Sequence, residues 1–344
     1  MKKAIILFNL GGPDKIENVE PFLFNLFNDP AILNLPTIIR YPLAKLISNR
    51  RAPVAKKIYE ELGGSSPILK LTREQSDALE RKINKDQTKD EYKCFIVMRC
   101  WSPRAKDVIK DVQLFIPEEI ILMPLYPQYS AATSGSSIKE WKDVCKKNNY
   151  KVKTSTICCY PTDQNFINAH TKEILKKIKD LKNFKLIFSA HGLPEKNIKR
   201  GDPYQWQVEQ SVKKIVENLN IENLDWILSY QSRVGPLKWI GPSTDNIIIE
   251  NSKIGKHIVL VPIAFVSEHS ETLVELDIEY KELADANGCK NYTRVPALGT
   301  NENFIKAMSE LIIKKDAYKI NEGLYPPKIQ CPPNFKKCPC LNYE

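Results

Sequence analysis

Imidazoles and carboxylates follow two apolar stretches that resemble buried strands. His191 comes directly after residues 185–190, and His269 and Glu271 come shortly after residues 258–265. Open α/β sheets bind ligands at the carboxyl ends of their strands, so these side chains stand where a ligand site is expected. A neutral imidazole accepts protons or ligates transition metals, and carboxylates are hard oxygen donors. The pattern predicts a site that handles protons, a divalent cation, or both.

Glutamates recur every four residues after the second stretch. Glu271, Glu275 and Glu279 would lie in one file on a helix face, although like charges at this spacing destabilise a helix. Apolar residues on the other faces indicate that the helix is buried on several sides, where carboxylates need cations or protons as partners. A solvated acidic face is the alternative interpretation, and for charged residues in general it is the more frequent one. The position after a strand favours a functional file.

The length and composition indicate a globular protein of two domains. The chain has 344 residues, which is more than one hydrophobic core usually serves. Hydrophobic residues make up 42% of the chain and charged residues 27%, as in ordinary globular proteins. No apolar run is long enough to span a bilayer. The apolar stretch at the N-terminus is too short for a signal peptide and ends in a Gly11-Gly12-Pro13 turn. We therefore expect a cytoplasmic protein.

The charge and the cysteines narrow the possible partners. A net charge of +10 favours an acidic partner, such as nucleic acid, anionic lipid or a carboxylated small molecule. The lysines are scattered, with no Arg-rich arm or aromatic RNA-reading motif, which argues against nucleic acid. Nine cysteines without an export signal argue against a disulfide framework and leave metal binding or burial.

Strand-like and helix-like stretches alternate along the chain and predict an α/β protein. The pattern of the first half recurs in the second. It predicts two similar doubly wound Rossmann-like domains with parallel sheets, at residues 1–160 and 161–320, followed by a cysteine-containing tail at 321–344. A cleft between the strand ends of the two domains is the expected ligand site. The predicted strands are 4–10, 94–99, 119–126, 184–190, 226–230 and 258–265, and the predicted helices are 72–84, 103–111, 137–147, 164–180, 205–219, 270–285 and 301–315.

Residues 21–53 interrupt this alternation with apolar residues beside prolines and basic residues. Such a segment could form an apolar lip over a pocket or dock on an anionic membrane face. Packing inside the first domain is the alternative.

Six segments, in order, resemble the ferrochelatase family over about residues 3–320. The resemblance implies insertion of ferrous iron into protoporphyrin IX, the last step of haem synthesis, on the two-domain fold of the class II chelatases. The segments are Leu10-Gly11-Gly12-Pro13, Gly63-Gly64-Ser65-Ser66-Pro67, Tyr126-Pro127-Gln128-Tyr129-Ser130, Ser189-Ala190-His191-Gly192-Leu193-Pro194, Arg200-Gly201-Asp202-Pro203-Tyr204 and Ser267-Glu268-His269-Ser270-Glu271-Thr272-Leu273.

The resemblance assigns roles to the acid/base residues. Iron enters the macrocycle only when two pyrrole N–H protons leave. His191 is implied to be the base or metal ligand that faces the porphyrin centre, and Glu271 its partner. Glu275 and Glu279 are then a conduit for protons or metal, with His269 orienting or extending the set.

Porphyrin contacts are implied for a further set of residues. An apolar clamp would pucker the ring and expose its nitrogen lone pairs, and a guanidinium would pair with a propionate. In many family members a tyrosine stands where this chain has Cys100, so a hydrogen bond from that hydroxyl is in doubt. The clamp candidates are Leu10, Tyr129, Trp239 (in Gly235–Pro242), Ile263 and Phe265, and the propionate candidates are Arg99, Ser130 and Ser136.

The tail carries Cys331, Cys338 and Cys340 within ten residues, beside prolines. This spacing resembles bacterial ferrochelatases in which three tail cysteines and one interior cysteine hold a [2Fe-2S] cluster. The interior ligand would be Cys158, with Cys159 as the alternative, because alternation along a strand would send the two side chains to opposite faces. Zinc and uncoordinated thiols are the other possibilities.

Two other functions fit part of the pattern. A chelatase of the same fold could act on another tetrapyrrole, either coproporphyrin III with iron or sirohydrochlorin with cobalt or iron. A non-catalytic haem or metal carrier is the rival from another class, but a carrier has no need of a base that faces an acidic relay.

Overall fold

A computed structural model of the chain describes residues 1–87, 89–233, 237–315, 324–325 and 331–341. Gly235 and Pro236, and the parts of the predicted tail at 321–323, 326–330 and 342–344, lie outside the described residues. The chain divides into two compact units, Met1–Cys159 with Met308–Pro326, and Tyr160–Ala307 with Pro327–Glu344. The described residues 308–315, which the sequence pattern assigned to the second domain, group with the first unit.

The first unit is a parallel sheet with helices between its strands. Its strands have the order β2-β1-β3-β4-β9 in the described part of the chain. In chain order its elements are β1 (Lys2–Asn9), a 3₁₀ turn (Ile16–Asn18), α1 (Val19–Phe27), α2 (Thr37–Glu61), α3 (Ile68–Asp86), β2 (Glu91–Met98), α4 (Ala105–Phe115), β3 (Glu119–Pro124), a π turn (Ala131–Gly135), α5 (Ser136–Lys147), β4 (Lys153–Ile157) and β9 (Leu324–Tyr325).

The second unit repeats this arrangement. Its strands have the order β6-β5-β7-β8 and are all parallel. Its elements are α6 (Gln164–Ile178), β5 (Phe184–His191), α7 (Glu195–Lys199), α8 (Tyr204–Leu219), β6 (Trp226–Gln231), α9 (Thr244–Lys253), β7 (His257–Pro262), a π-helix (Glu271–Glu279), α10 (Tyr280–Ala286) and β8 (Tyr292–Arg294), and α11 (Glu302–Ile313) begins in this unit.

The central strands explain why the sequence forms this fold. Residues 4–8 of β1 and 258–261 of β7 are fully buried apolar side chains, as expected of strands covered on both faces by helices. The predicted doubly wound fold with two similar parallel sheets is confirmed. The sequence pattern missed β4 and β8, because these short strands carry mainly polar side chains and lack the apolar run.

Residues 21–53 form most of α1, a connecting loop and the first part of α2. One face of this region packs inside the first unit, where Phe22 and Leu23 are buried with Ala52 and Tyr59. The exposed side carries Ile38 and Ile39. No helix among the described residues is both long and apolar enough to cross a membrane.

His170, on α6, is a buried histidine that should make the stability of the folded chain depend on pH. Its buried ring packs edge-on against Phe166, and neither ring nitrogen has a hydrogen-bond partner among the described residues. Burial lowers the pKa of His170 to about 3. The unfolded chain binds a proton here below pH ~6.5, whereas the folded chain does not. Stability is therefore present above this pH and lost as the pH falls towards 3, by up to about 1.4 kcal/mol per unit.

We expect His170→Phe to weaken this loss of stability. The substitution keeps an aromatic ring beside Phe166 and removes the titrating group. The measurement is the free energy of unfolding in urea at pH 7, 6 and 5 for both proteins. Equal slopes of stability against pH would show that His170 does not titrate in this way.

Candidate functional site

His191 is the last residue of β5, at the point where the strand order of the second unit reverses. β6 lies on one side of β5 and β7 on the other, which is the position where open α/β sheets bind ligands. The Nδ1 atom of His191 lies 2.6 Å from the carbonyl oxygen of Gly192. A carbonyl only accepts hydrogen bonds, so Nδ1 carries the proton in the neutral ring. Nε2 therefore presents its lone pair and can accept a proton or ligate a metal.

Glu271 faces this lone pair. Its Oε1 lies 3.7 Å from His191 Nε2, and its Oε2 lies 4.0 Å from His269 Nε2. Oε2 is buried and has no hydrogen-bond partner among the described residues. A buried carboxylate oxygen without a donor is costly, and a proton or a cation would relieve that cost. Because metal–nitrogen and metal–oxygen bonds are roughly 2.0–2.2 Å, one ion could reach both His191 Nε2 and Glu271 Oε1.

His269 is buried behind Glu271. Its ring packs against Phe265, with 4.6 Å between the ring centroids. Burial lowers the pKa of His269. The negative charge of Glu271 raises this pKa, whereas the nearby His191 and Arg294 lower it further. The ring is therefore neutral near pH 7.

Glu275 is held in a different way from Glu271. Its carboxylate accepts hydrogen bonds from the backbone N–H of Ser232 at 2.9 Å, the hydroxyl of Ser232 at 2.5 Å, Gln231 at 3.1 Å and Tyr280 at 3.2 Å. Glu279, at the end of the π-helix, is exposed. The three glutamates thus have different surroundings: Glu271 is half-buried beside His191, Glu275 is held by four hydrogen bonds, and Glu279 is exposed.

Sequence reasoning missed the partners of this file. Ser232 and Gln231 lie at the end of β6, next to β5 in the sheet, and a polar pair directly after a predicted strand was the available signal. Tyr204, the first residue of α8, hydrogen-bonds to the backbone of His191. No local pattern in the sequence indicated this contact.

Trp239 lies beside the turn that follows His191. A Cβ atom at Gly192 would lie 3.2 Å from the Trp239 ring and 2.9 Å from the carbonyl oxygen of Gln231, so only glycine fits there without a shift. Trp239 Nε1 is buried without a hydrogen-bond partner in the described part of the chain. Of the other clamp candidates in this unit, Ile263 is fully buried and Phe265 half-buried.

The propionate candidates of the first unit form a network of their own. Arg99 pairs with Asp29 at 2.8 Å, donates from Nε to Ser136 Oγ at 2.7 Å and lies 3.6 Å from Glu140. Ser136 in turn donates to Asp29 at 2.5 Å. Arg99 would have to exchange one of these partners to bind a propionate, so that role stays a prediction.

The remaining candidates of this unit are mostly buried. Ser130 caps the π turn by accepting from the backbone N–H of Ala132 at 3.2 Å. Tyr129 is buried against Gly135, and Leu10 packs at the edge of the α1–α2 cluster.

The predicted cluster ligands fall into two groups, one in each unit. Cys331 and Cys338 are buried in contact with each other, in a cluster completed by Trp206, Phe335, Cys340 and Leu341. Gln207 donates to Cys331 Sγ at 3.2 Å. The sulfur atoms of Cys158 and Cys159 lie 3.4 Å apart. The expectation that these two point to opposite faces was wrong, because they follow the end of β4 and are not part of its pleat.

A metal site does not follow from proximity alone. Among the described residues, no three His, Cys, Asp or Glu side chains are grouped closely enough to hold a metal ion. A groove of about 910 Å³ between α6 and α8 is lined by lysines, asparagines and apolar residues, with no carboxylate, histidine or cysteine among its lining side chains. The His191 region therefore remains the candidate site.

Comparisons with known proteins agree with the predicted family. The ferrochelatase family model matches residues 2–316. A ferrochelatase of Pelagibacter ubique is 90% identical over 344 residues, which is the whole of both chains. One of Rickettsia bellii is 48% identical and covers 98% of this chain and 95% of its own. One of Wolbachia is 52% identical over 316 residues, 91% of this chain and 99% of its own.

The solved structures support the fold. SirB from Bacillus subtilis with Fe3+ has a TM-score of 0.56 at 12% identity, covering 91% of this chain and 95% of its own. At that identity the likeness concerns the fold, which is that of a chelatase with two doubly wound sheets.

Proposed function

The chain belongs to the ferrochelatase family, and we propose that it inserts ferrous iron into protoporphyrin IX to give protohaem, with release of two protons. This is a lyase reaction and the last step of haem synthesis. The observation that carries the proposal is the lone pair of His191 Nε2, which faces the half-buried carboxylate of Glu271 at 3.7 Å. Ferrous iron and porphyrin are the substrates.

The geometry suits the removal of pyrrole protons. His191 Nε2 accepts a proton from a pyrrole N–H, and the resulting imidazolium is stabilised by Glu271 across 3.7 Å. The donors around Glu275 hold that carboxylate in place, and Glu279 faces solvent, so the file offers protons or metal a route between His191 and the surface. In the same proposal, the neutral His269 orients Glu271.

Porphyrin binding is proposed for the residues named from the sequence. Trp239 is favoured in the second unit because its ring borders the turn after His191. Ile263 and Phe265 are the other proposed porphyrin contacts of this unit. In the first unit the proposed contacts are Leu10, Tyr129 and Ser130, with Arg99 and Ser136 for the propionates.

Anaerobic turnover tests the function. Purified protein receives ferrous iron with protoporphyrin IX and, in a parallel assay, with coproporphyrin III, and haem formation is followed by absorbance. We expect turnover of protoporphyrin IX to dominate. Faster turnover of coproporphyrin III would assign the other tetrapyrrole, and stoichiometric binding without turnover would indicate a carrier. No structural observation favours sirohydrochlorin as the substrate.

A [2Fe-2S] cluster is proposed for the tail. Cys331, Cys338 and Cys340 belong to one group of packed apolar side chains. The N–H group of Gln207 donates a hydrogen bond to Cys331 Sγ, which suits a sulfur that ligates iron. Cys158 or Cys159 would supply the fourth thiolate, and metal binding would contribute to folding.

We expect anaerobically purified protein to be coloured, with two irons and two inorganic sulfides per chain. Cys338→Ser should lose the colour and melt at a lower temperature, because metal binding contributes to folding. Cys145→Ser, which changes a half-buried thiol of α5, is the matched control and should keep both. Separate serine substitutions at Cys158 and Cys159 identify the fourth ligand. A colourless wild-type protein that contains zinc or no metal would rule out the cluster.

A membrane contact is proposed for the exposed side of α2. Ile38 is 88% exposed, Ile39 and Tyr41 are about half exposed, and Lys45, Arg50 and Arg51 are exposed close by in the chain. Apolar side chains beside basic ones suit an anionic bilayer surface. The proposed location is the cytoplasm, at the inner face of the membrane.

We expect the protein to bind anionic vesicles and to release them as salt is raised. Replacing Ile38 and Ile39 by serine should weaken vesicle binding and leave turnover of a solubilised porphyrin unchanged. Leu114→Ser is the matched control, since Leu114 is 80% exposed on α4 outside this region. Equal loss of vesicle binding in the control, or loss of turnover together with binding, would contradict the contact.

A further inference from the structure

Arg294, the last residue of β8, is bound by two carboxylates. Its Nε and Nη2 atoms donate to the two oxygens of Asp277 at 2.5 and 2.6 Å, and its Nη1 donates to Glu268 Oε1 at 2.7 Å. The side chain is only 10% exposed. A planar guanidinium that binds one carboxylate with two donors fixes its orientation as well as its distance.

The two partners lie on either side of the acid/base residues. Glu268 directly precedes His269, and Asp277 is in the π-helix, two residues after Glu275. Glu268 Oε1 also accepts the backbone N–H of Ala297 at 2.9 Å. One side chain therefore connects β8 to both ends of the segment that carries His269, Glu271 and Glu275.

This segment needs an external support. π-helices are rare and usually occur as single-turn bulges, whereas this one spans nine residues, Glu271–Glu279. It carries three glutamates, and one oxygen of Glu271 has no hydrogen bond within the described residues. Tyr292, also on β8, donates to the carbonyl oxygen of Leu276 at 2.6 Å. Strand β8 thus contacts the π-helix twice, through the ion pair of Arg294 with Asp277 and through the hydroxyl of Tyr292, which binds a backbone carbonyl.

We propose that Arg294 is the positioning residue of the proton and metal relay, because its bonds to Asp277 and Glu268 hold the π-helix in the register that points Glu271 at His191. The inference rests on the proposed function for its kinetic consequences. Its structural part, the dependence of the π-helix on Arg294, is independent of that function.

The test compares three variants. Arg294→Met removes the charge and all three hydrogen bonds. Arg294→Lys keeps the charge but cannot donate two hydrogen bonds to Asp277 in the geometry of a guanidinium. Lys256→Met is the control. Lys256 also pairs with a partly exposed carboxylate, Asp225, but it lies just before β7, at the opposite end of the sheet from His191. Asp277→Asn tests the same contact if Arg294→Met fails to fold.

Hydrogen exchange provides the readout that does not depend on turnover. We expect faster exchange of the amides of residues 271–279 in Arg294→Met, with exchange of β5 and β7 unchanged. Arg294→Lys should lie between this variant and the wild type, and the control should match the wild type. Unchanged exchange of residues 271–279 in Arg294→Met would overturn the proposal.

Steady-state kinetics tests the consequence for the reaction. Arg294→Met should lower kcat and kcat/KM together by at least about tenfold, because a displaced Glu271 no longer stabilises the transition state of proton transfer at His191. Porphyrin should still bind at one per chain, which excludes loss of folded protein. If kcat fell equally in the Lys256→Met control, the effect of Arg294→Met would reflect a general loss of stability and not the positioning of Glu271. A wild-type protein without turnover would refute the proposed function, while the exchange data would still decide whether Arg294 holds the π-helix.

Discussion

Replacing His191 by alanine is expected to abolish metal insertion while porphyrin binding stays nearly intact. Nε2 of His191 is the basic atom that faces Glu271, and its orientation is fixed by the bond from Nδ1 to Gly192. Loss of an acid/base group typically costs 10²–10⁴-fold in rate, so kcat should fall by at least about 10²-fold. The side chain is partly exposed at the end of β5, so its removal leaves no large cavity in the core. Initial rates of haem formation and fluorescence titration of the porphyrin measure the two effects.

His257→Ala serves as the control. His257 begins β7, at the end of the sheet opposite His191, and is also partly exposed. Its variant should retain the wild-type rate. If His191→Ala turned over within about tenfold of the wild type, His191 would not be the base or ligand, since that loss is below the usual range.

Replacing Glu271 by glutamine should be almost as damaging. Glutamine keeps the shape and removes the negative charge, so an imidazolium at His191 loses its partner at 3.7 Å. Glutamine also removes the negative charge that lies between His191 and His269, which weakens the attraction for a cation. We expect a decrease in kcat of about 10²-fold, with binding of the porphyrin preserved.

Two comparisons separate Glu271 from the other carboxylates of its region. Glu275→Gln should lower kcat less, because Glu275 is turned towards Ser232 and not towards His191. Glu282→Gln changes an exposed carboxylate on α10 and should have no effect. If Glu271→Gln kept full activity, the three glutamates would be interpreted as a solvated acidic face without a catalytic role.

The sequence alone determined the fold class and the place of the site. β1, β5 and β7 contain the buried apolar runs 4–8, 186–188 and 258–261, and such runs are typical of parallel strands covered on both faces. His191 follows one run, and His269 with Glu271 follows another, so the position of these residues along the chain already assigned them to strand ends. The motifs that carry the family resemblance lie in these same turns.

The tertiary structure decided how the site residues are held. The sequence predicted an ordinary helix over 270–285, but residues 271–279 form a π-helix, whose contacts to Arg294 and Tyr292 come from a distant strand. The partners of Glu275 come from β6, and those of Arg99 come from the loop after α1 and from α5. Hydrophobic periodicity records which residues are buried, because burial acts on each side chain locally. Hydrogen bonds between polar side chains depend on which chain segments meet, and only the folded chain determines that.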